Sequence, residues 1–251
     1  MASKASIGIG RFFFRYRNAL FPAIFVIVGL TMQPKLLFQN PALDRLIVIL
    51  GIVIALLGEV VRLVTIGYEY IERGGKNRQV YASHLVQGGV YAHVRNPMYL
   101  GNGLIAIGVT LETGSPTTYA VVIPFFLFVY WSIVAAEEEY LRAHFAAEYV
   151  DYCHRVPRFL PSFTGLRRSF AGTFYDWKRA LRKELSTMAG LASGLIAVPL
   201  VRRWFLEGPG AARAAAPVTL SWIAVVAILY GIAVFMKRRR WFFYTTADHA
   251  G

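Results

Sequence analysis

Residues 88–102, with the sequence GGVYAHVRNPMYLGN, form the most informative stretch of this chain. Basic side chains, tyrosines, asparagine and a proline lie there between two long apolar segments. A run of glutamates at residues 137–139 ends the next apolar segment. Because polar groups are costly to keep beside a membrane, these two polar clusters predict a binding site.

The composition indicates an integral membrane protein. Of the 251 residues, 56% are hydrophobic and only 16% are charged, and the mean hydropathy is +0.47. Soluble domains of this length carry more charge, and the apolar residues here gather in long runs. We therefore predict an all-α integral membrane protein with about six transmembrane helices.

Six apolar segments mark the predicted spans. A helix needs about 20 apolar residues to cross the bilayer core, so the first, third and fifth segments need flanking residues. The segments cover about residues 19–32, 46–66, 98–111, 119–135, 188–201 and 218–236. We predict amino-terminal transmembrane helices (1–74), a core (75–165), and an interfacial linker with two carboxy-terminal transmembrane helices (166–251).

The net charge of +13 comes from basic residues whose placement is better explained by orientation in a membrane than by binding to nucleic acid. Lys and Arg flank the apolar segments and concentrate in alternate loops, without forming one patch. The positive-inside rule then places both termini, Arg95 and the glutamates on the cytoplasmic side. We predict no nucleic-acid partner, and the charge pattern leaves the oligomeric state open.

A short turn predicts that the third and fourth segments form a helical hairpin. Residues 112–116, with the sequence ETGSP, combine glycine and proline between the two apolar runs. An antiparallel hairpin returns the glutamates to the membrane face at which Arg95 lies. Two more helices are predicted on the membrane surface, at residues 140–152 and 170–185, from their aromatic and basic residues.

The start of the third segment is suited to an anionic ligand. Pro97 fits the first turn of a helix, and Asn96 can cap that helix with its side chain. The free N–H groups of a helix start and the planar guanidinium of Arg95 both favour a carboxylate or phosphate. Alternatively, Arg95 lies at the membrane interface without a ligand, and Asn96 is only a cap.

The negative charges of the glutamates at residues 137–139 need positive partners, because the carboxyl end of a helix disfavours negative charge. One or more of them can pair with Arg95 or with a cationic group of a ligand. The alternative is a solvated acidic helix end. Adjacent residues of a helix point in different directions, so at most two of the three acids can face one site.

The sequence contains no motif for a metal or for a common nucleotide fold. Cys153 is the only cysteine, which excludes a zinc–thiolate cluster, and His84 and His93 lack the spacing of a metal site. We predict no metal. No glycine-rich dinucleotide motif or P-loop occurs, so a nucleotide-like cofactor needs another mode of binding. Tyr91 and Tyr99 either pack as interface aromatics or stack on an adenine ring.

Several motifs in the middle of the chain together resemble the isoprenylcysteine carboxyl methyltransferase family, to which membrane-integral phospholipid methyltransferases are similar. The likeness covers about residues 75–161. It rests on the order and spacing of Ser83-His84-Leu85-Val86, Gly89-Val90-Tyr91, Arg95-Asn96-Pro97-Met98-Tyr99, Glu137-Glu138, Glu148-Tyr149, Tyr152 and Val156-Pro157-Arg158-Phe159-Leu160-Pro161.

This resemblance implies S-adenosylmethionine as the cofactor, held on the cytoplasmic side of a membrane-embedded helical fold. It assigns Glu138 to the ammonium of the cofactor and to catalysis together with Arg95. Arg95 and Glu137 would bind the substrate. The remaining cofactor-binding residues implied by the motifs are His84, Leu85, Val86, Tyr91, Asn96, Pro97, Met98 and Tyr99.

The implied function is methyl transfer to a lipophilic acceptor from the bilayer, most like carboxyl O-methylation of an isoprenylcysteine or lipid. Methylation of a phospholipid amine or a small thiol are alternatives. Asn96 stands where the family often has histidine, and Val134 where eukaryotic members have an arginine that faces the substrate carboxylate. Outside this class, the sequence leaves open an NADPH-dependent sterol-type reductase and a non-enzymatic transporter or scaffold.

Overall fold

The computed structural model describes residues 3–35, 40–69 and 80–239, and this part of the chain is all-helical. The predicted all-α class is therefore confirmed. Its helices are α1 (Lys4–Thr31), α2 (Pro41–Tyr68), α3 (Pro97–Glu112), α4 (Pro116–Arg155), α5 (Leu166–Ser169), α6 (Trp177–Glu207) and α7 (Pro209–Arg238). The predicted boundary between residues 74 and 75 lies outside the described residues.

Polar caps and prolines set the starts of the long helices. The Asn40 side chain accepts hydrogen bonds from Ala42 and Leu43, and Pro41 occupies the first turn of α2. Ser115 caps α4 in the same way, with Pro116 following it. These residues satisfy backbone N–H groups that have no partner inside the helix.

Among the described residues, the five helices α1, α2, α4, α6 and α7 are long and apolar enough to cross a membrane. They contain five of the six predicted apolar segments. The remaining segment forms α3, which has 16 residues. At 1.5 Å per residue it spans about 24 Å, less than the roughly 30 Å of a bilayer core. A sixth span therefore stays a prediction.

The bundle is built around α3, which lies between α2 and α4. α1 packs on α4, and α6 packs on α2 and α7. Glycines allow α2 and α3 to approach closely, because a Cβ built on Gly58 would lie 2.6 Å from the carbonyl oxygen of Gly101. Small residues at helix contacts are the usual means of close packing in membranes.

The predicted hairpin of α3 and α4 is confirmed. Only residues 113–115 separate the two helices, and Gly114 adopts a positive φ of 65° that permits the tight reversal. The Ser115 hydroxyl accepts a hydrogen bond from the Thr118 amide and starts α4. The hairpin brings the start of α3 and the glutamates of α4 to the same end of the bundle.

The two predicted surface helices differ from the structure. α4 continues past the glutamates, and its helical geometry breaks only at Ala146, where φ is 42°. Residues 140–145 thus extend the preceding helix, since nothing there terminates it. Residues 170–176 are not helical, and Asp176 caps α6, which continues from Trp177 into the fifth apolar segment. The interfacial position of either region stays a prediction.

Two ion pairs fix α6 against the rest of the bundle. Near its start, the buried Glu184 accepts from Arg62 of α2, with Nη2 and Oε2 2.6 Å apart. Near its end, Arg202 pairs with Asp44 of α2 at 2.7 Å. Opposite charges in a low-dielectric interior attract strongly, so these pairs hold α6 at both ends.

The close approach of α2 and α3 predicts that alanine destabilises the protein at one glycine of α3 and not at another. Gly101→Ala should lower the free energy of unfolding by about 1–3 kcal/mol, because its Cβ would lie 2.7 Å from the Gly58 carbonyl oxygen. Gly103→Ala is the matched control, since no atom lies within 4 Å of its Cβ. Thermal unfolding in detergent measures both, and equal melting temperatures would contradict the packing.

The buried pair at the start of α6 predicts a strong effect of neutralising one partner. Glu184→Gln removes the closer of two buried counter-charges of Arg62, because Glu59 remains 3.7 Å from Arg62 Nε. The change should cost about 1–3 kcal/mol of unfolding free energy, since Arg62 loses a buried charged hydrogen-bond acceptor. Glu207→Gln is the control, because Glu207 pairs with Arg203 on the same helix and half of each side chain is exposed. That change should cost less than about 1 kcal/mol. Similar thermal shifts for the two variants would show that the buried pair does not hold α6.

Candidate functional site

A large cavity extends from the end of the bundle where the predicted polar clusters meet to Thr113 in the hairpin turn. Its volume is about 1230 Å³, and its walls come from α1, α3, α4, α6, Arg62 of α2 and residues 80–96. Ligand cavities in proteins commonly measure about 300–1,000 Å³. This one has room for more than a single small ligand.

Residues 80–96 form the wall that precedes α3. A short 3-10 helix, Gly89–Ala92, turns the chain, and hydrogen bonds then join it to the segment after α4. The Arg95 amide donates to the carbonyl oxygen of Pro157, and the Ser162 amide donates to that of His93, both at 2.9 Å. These bonds fix Arg95 and the start of α3 against the end of α4.

The structure places most of the predicted site residues around this one cavity. Pro97 and Glu138 do not line it: Pro97 is buried in the first turn of α3, and Glu138 is buried beside the cavity. The predicted residues that do line it are His84, Leu85, Val86, Tyr91, Arg95, Asn96, Met98, Tyr99 and Glu137. Their roles toward any ligand stay predictions.

The glutamates of α4 point in three directions, as adjacent helical residues must. Glu137 lines the cavity and accepts a hydrogen bond from the Tyr99 hydroxyl. Glu138 accepts from Arg158 Nε at 3.1 Å and lies 3.6 Å from Arg95 Nη1. Glu139 pairs with the exposed Arg11 at 2.7 Å, away from the cavity. The pairing of Arg95 with one of these acids is thus confirmed.

Arg95 lies between the cavity and the buried acid. Burial disfavours the charged form of Arg95 and lowers its pKa. The carboxylate of Glu138 and the neighbouring Cys153 and Tyr149 favour the charged form, and the net result is a raised pKa of Arg95. The guanidinium therefore stays charged at any physiological pH. Its Nε has no hydrogen-bond partner among the described residues, which leaves a buried donor for a ligand.

Asn96 occupies the predicted capping position of α3 but does not cap with its side chain. Its ψ of 55° turns the amide away from the helix start, and Nδ2 instead donates to the carbonyl oxygen of Arg158 at 3.2 Å. The prediction of a side-chain cap was wrong. Asn96 connects the start of α3 to the segment after α4, beside the cavity.

Several residues of the site were missed by the sequence analysis. Arg158 had a visible signal, because it belongs to the proline-rich motif after α4. Arg17 and Asn18 of α1, and Lys183 and Thr187 of α6, also line the cavity. No spacing in the sequence links these positions to residues 84–99, because only the packing of α1 and α6 brings them there.

Comparison with known proteins agrees with this geometry. Residues 46–148 match the family model described as phospholipid methyltransferase. The chain is similar to this family over that stretch. The matched stretch includes most of α2, all of α3, most of α4 and all the predicted site residues, whereas α1, α5, α6 and α7 lie outside it. The resemblance noted from the motifs is confirmed.

Two curated proteins are similar to this chain. Protein-S-isoprenylcysteine O-methyltransferase of Saccharomyces cerevisiae is 31% identical over 127 residues, which cover 48% of this chain and 51% of that protein. Protein-S-isoprenylcysteine O-methyltransferase B of Arabidopsis thaliana is 30% identical over 118 residues, or 44% of this chain and 57% of that protein. The chain thus spans about half the length of these relatives. No solved structure matches it significantly.

Proposed function

We propose that this protein is a membrane-embedded methyltransferase that uses S-adenosylmethionine and acts on a lipophilic acceptor. The observation that carries the proposal is a cavity whose polar end is formed largely by the stretch that matches phospholipid methyltransferases, with an acid at that end and apolar helix faces along its length. The names of the similar proteins from yeast and Arabidopsis support the same reaction class.

The side chains around the cavity fit such a cofactor. Tyr91, Tyr149 and Tyr152 offer aromatic rings to an adenine, and the acid of Glu137 suits an ammonium. The unpartnered Nε of Arg95 adds a donor. We assign the wall that holds the cofactor to the predicted residues His84, Leu85, Val86, Tyr91, Asn96, Pro97, Met98 and Tyr99.

Two acids are candidates for the positive end of the cofactor, and their surroundings differ. The charge of Glu138 is already balanced by Arg158 and Arg95, at 3.1 and 3.6 Å. Glu137 borders the cavity and accepts a hydrogen bond from the neutral Tyr99 hydroxyl. Charge balance therefore favours Glu137 for the ammonium, with Glu138 positioning Arg95, over the motif-based assignment of the ammonium to Glu138.

S-adenosylmethionine supplies a methyl group that is already activated by its sulfonium. The protein's own contribution is then to position the acceptor and to exclude water. Arg95 is a fixed positive charge at the cavity wall, suited to an anionic acceptor group. Residues 80–96 form one wall of the cavity at this end.

The acceptor is proposed to bind through its apolar part. Beyond the polar end, α1, α3 and α6 line the cavity with aliphatic side chains such as Val26, Leu30, Val109 and Val198. Val134 is completely buried and does not line the cavity, so it offers nothing to an acceptor. We propose carboxyl O-methylation on the cytoplasmic face, with phospholipid N-methylation and thiol S-methylation as alternatives.

The reaction is tested with the purified full chain in lipid nanodiscs and methyl-labelled S-adenosylmethionine. The acceptors are N-acetyl-S-farnesylcysteine, phosphatidylethanolamine and an alkyl thiol. A carboxyl methyl ester releases labelled methanol in alkali, whereas N-methyl and S-methyl products are stable. We expect alkali-labile label with the farnesylcysteine. No transfer to any acceptor, together with no binding of S-adenosylhomocysteine by calorimetry, would contradict the proposal.

Neutralising the three glutamates one at a time should separate their roles. Glu137→Gln should weaken S-adenosylhomocysteine binding about ten- to hundredfold, the value of a charged hydrogen bond, and leave the melting temperature nearly unchanged. Glu138→Gln should lower the melting temperature, because Arg95 and Arg158 lose their shared counter-charge.

Glu139→Gln is the control, since Glu139 pairs only with the exposed Arg11 among the described residues. It should leave both binding and stability unchanged. In the opposite pattern, Glu138→Gln would be stable but would not bind S-adenosylhomocysteine, and Glu137→Gln would bind it normally. That pattern would show that Glu138 binds the ammonium.

A further inference from the structure

One positive and one negative side chain of the cavity are separated by a single hydroxyl group. Arg17 of α1 donates from Nη1 to the Tyr99 hydroxyl at 3.3 Å. That hydroxyl in turn donates to Oε1 of Glu137. All three side chains line the cavity, and they come from three different helices.

Arg17 has hydrogen-bonding capacity left for a ligand. A guanidinium carries five N–H donors, and the bond to Tyr99 uses one of them. Among the described residues, no carboxylate lies within ion-pair distance of Arg17. Its Cζ lies 4.2 Å from the ring centroid of Phe14, which fixes the guanidinium at the cavity wall.

The other two arginines of the cavity, Arg62 and Arg95, are paired with carboxylates. Arg62 donates to Glu184, Thr187 and Asn102. Arg95 pairs with Glu138 and donates to Cys153. Among these three arginines, Arg17 is therefore the one without a carboxylate partner in the described part of the chain, and it shares the Tyr99 hydroxyl with Glu137.

A ligand group that complements this arrangement must carry both charges. A purely cationic group would be repelled by Arg17, and a purely anionic group would be repelled by Glu137. The neighbouring ammonium and carboxylate of an α-amino acid satisfy both side chains. The planar guanidinium can bind the carboxylate through two parallel hydrogen bonds.

We infer that Arg17 and Glu137, joined by the Tyr99 hydroxyl, clamp the amino-acid end of the cofactor. Arg17 binds the carboxylate, Glu137 binds the ammonium, and Tyr99 holds the two side chains at the required spacing. The inference rests on the proposed function, and it makes α1 part of the cofactor site although α1 lies outside the matched domain.

Calorimetry on the full chain in detergent tests this clamp with three related ligands. S-adenosylhomocysteine carries both charged groups, its decarboxylated analogue carries only the ammonium, and 5′-methylthioadenosine carries neither. The wild-type protein should bind S-adenosylhomocysteine most tightly. Arg17→Gln should weaken that binding about ten- to hundredfold and leave the affinity for 5′-methylthioadenosine unchanged. The decarboxylated analogue should bind at least as tightly as it binds the wild type, because the repulsion between its ammonium and Arg17 is lost.

Arg15→Gln is the matched control, because Arg15 lies on the same helix, is exposed and does not line this cavity. It should bind all three ligands as the wild type does. Arg17→Lys keeps the charge without the planar fork, so its affinity for S-adenosylhomocysteine should lie between those of the wild type and Arg17→Gln. Melting temperatures identify any variant that loses binding by unfolding.

Three outcomes would overturn the inference. The first is binding of S-adenosylhomocysteine by Arg17→Gln as tight as that by the wild type, and the second is an equal loss of affinity for all three ligands in a folded variant. The third is a rise in the KM for the lipid acceptor alone, which would assign Arg17 to the acceptor. Failure of the proposed function has a different signature, since the wild-type protein would then bind none of the adenosyl ligands.

Discussion

The buried ion pairs of Glu138 with Arg95 and Arg158 are the interaction on which the site depends. They join the residues before α3, the middle of α4 and the segment after α4. An unpaired charge would be costly in this interior, so these three parts have to stay together. The cavity wall that carries Asn96 and Tyr99 is positioned as a result.

The matched domain does not form the cavity alone. α1 contributes Arg17 and α6 contributes Lys183 and Thr187, although both helices lie outside residues 46–148. The same electrostatic argument explains how α6 is held, because Arg62 pairs with Glu184 and Asp44 with Arg202. Neighbouring helices thus complete a site whose polar core lies within the domain.

Much of the fold followed from local physics. The apolar runs predicted the helices, and the turn with Gly114 predicted the hairpin that brings Arg95 near Glu138. The surface helices were placed less well, because aromatic periodicity does not show where a helix is interrupted. The break at Ala146 has no glycine or proline to mark it. The role of Asn96 also differed, since its ψ is set by contact with Arg158.

The sequence by itself determined the all-α membrane class, the hairpin and the motif at residues 95–99, because apolar runs, turn residues and a helix-starting proline act locally. Tertiary structure decided which glutamate borders the cavity and which is buried behind it. It also decided that Arg17 lies beside Tyr99. These outcomes depend on the rotation of α4 and on the packing of α1 against it, and the contacts between distant segments that set them leave no spacing in the chain.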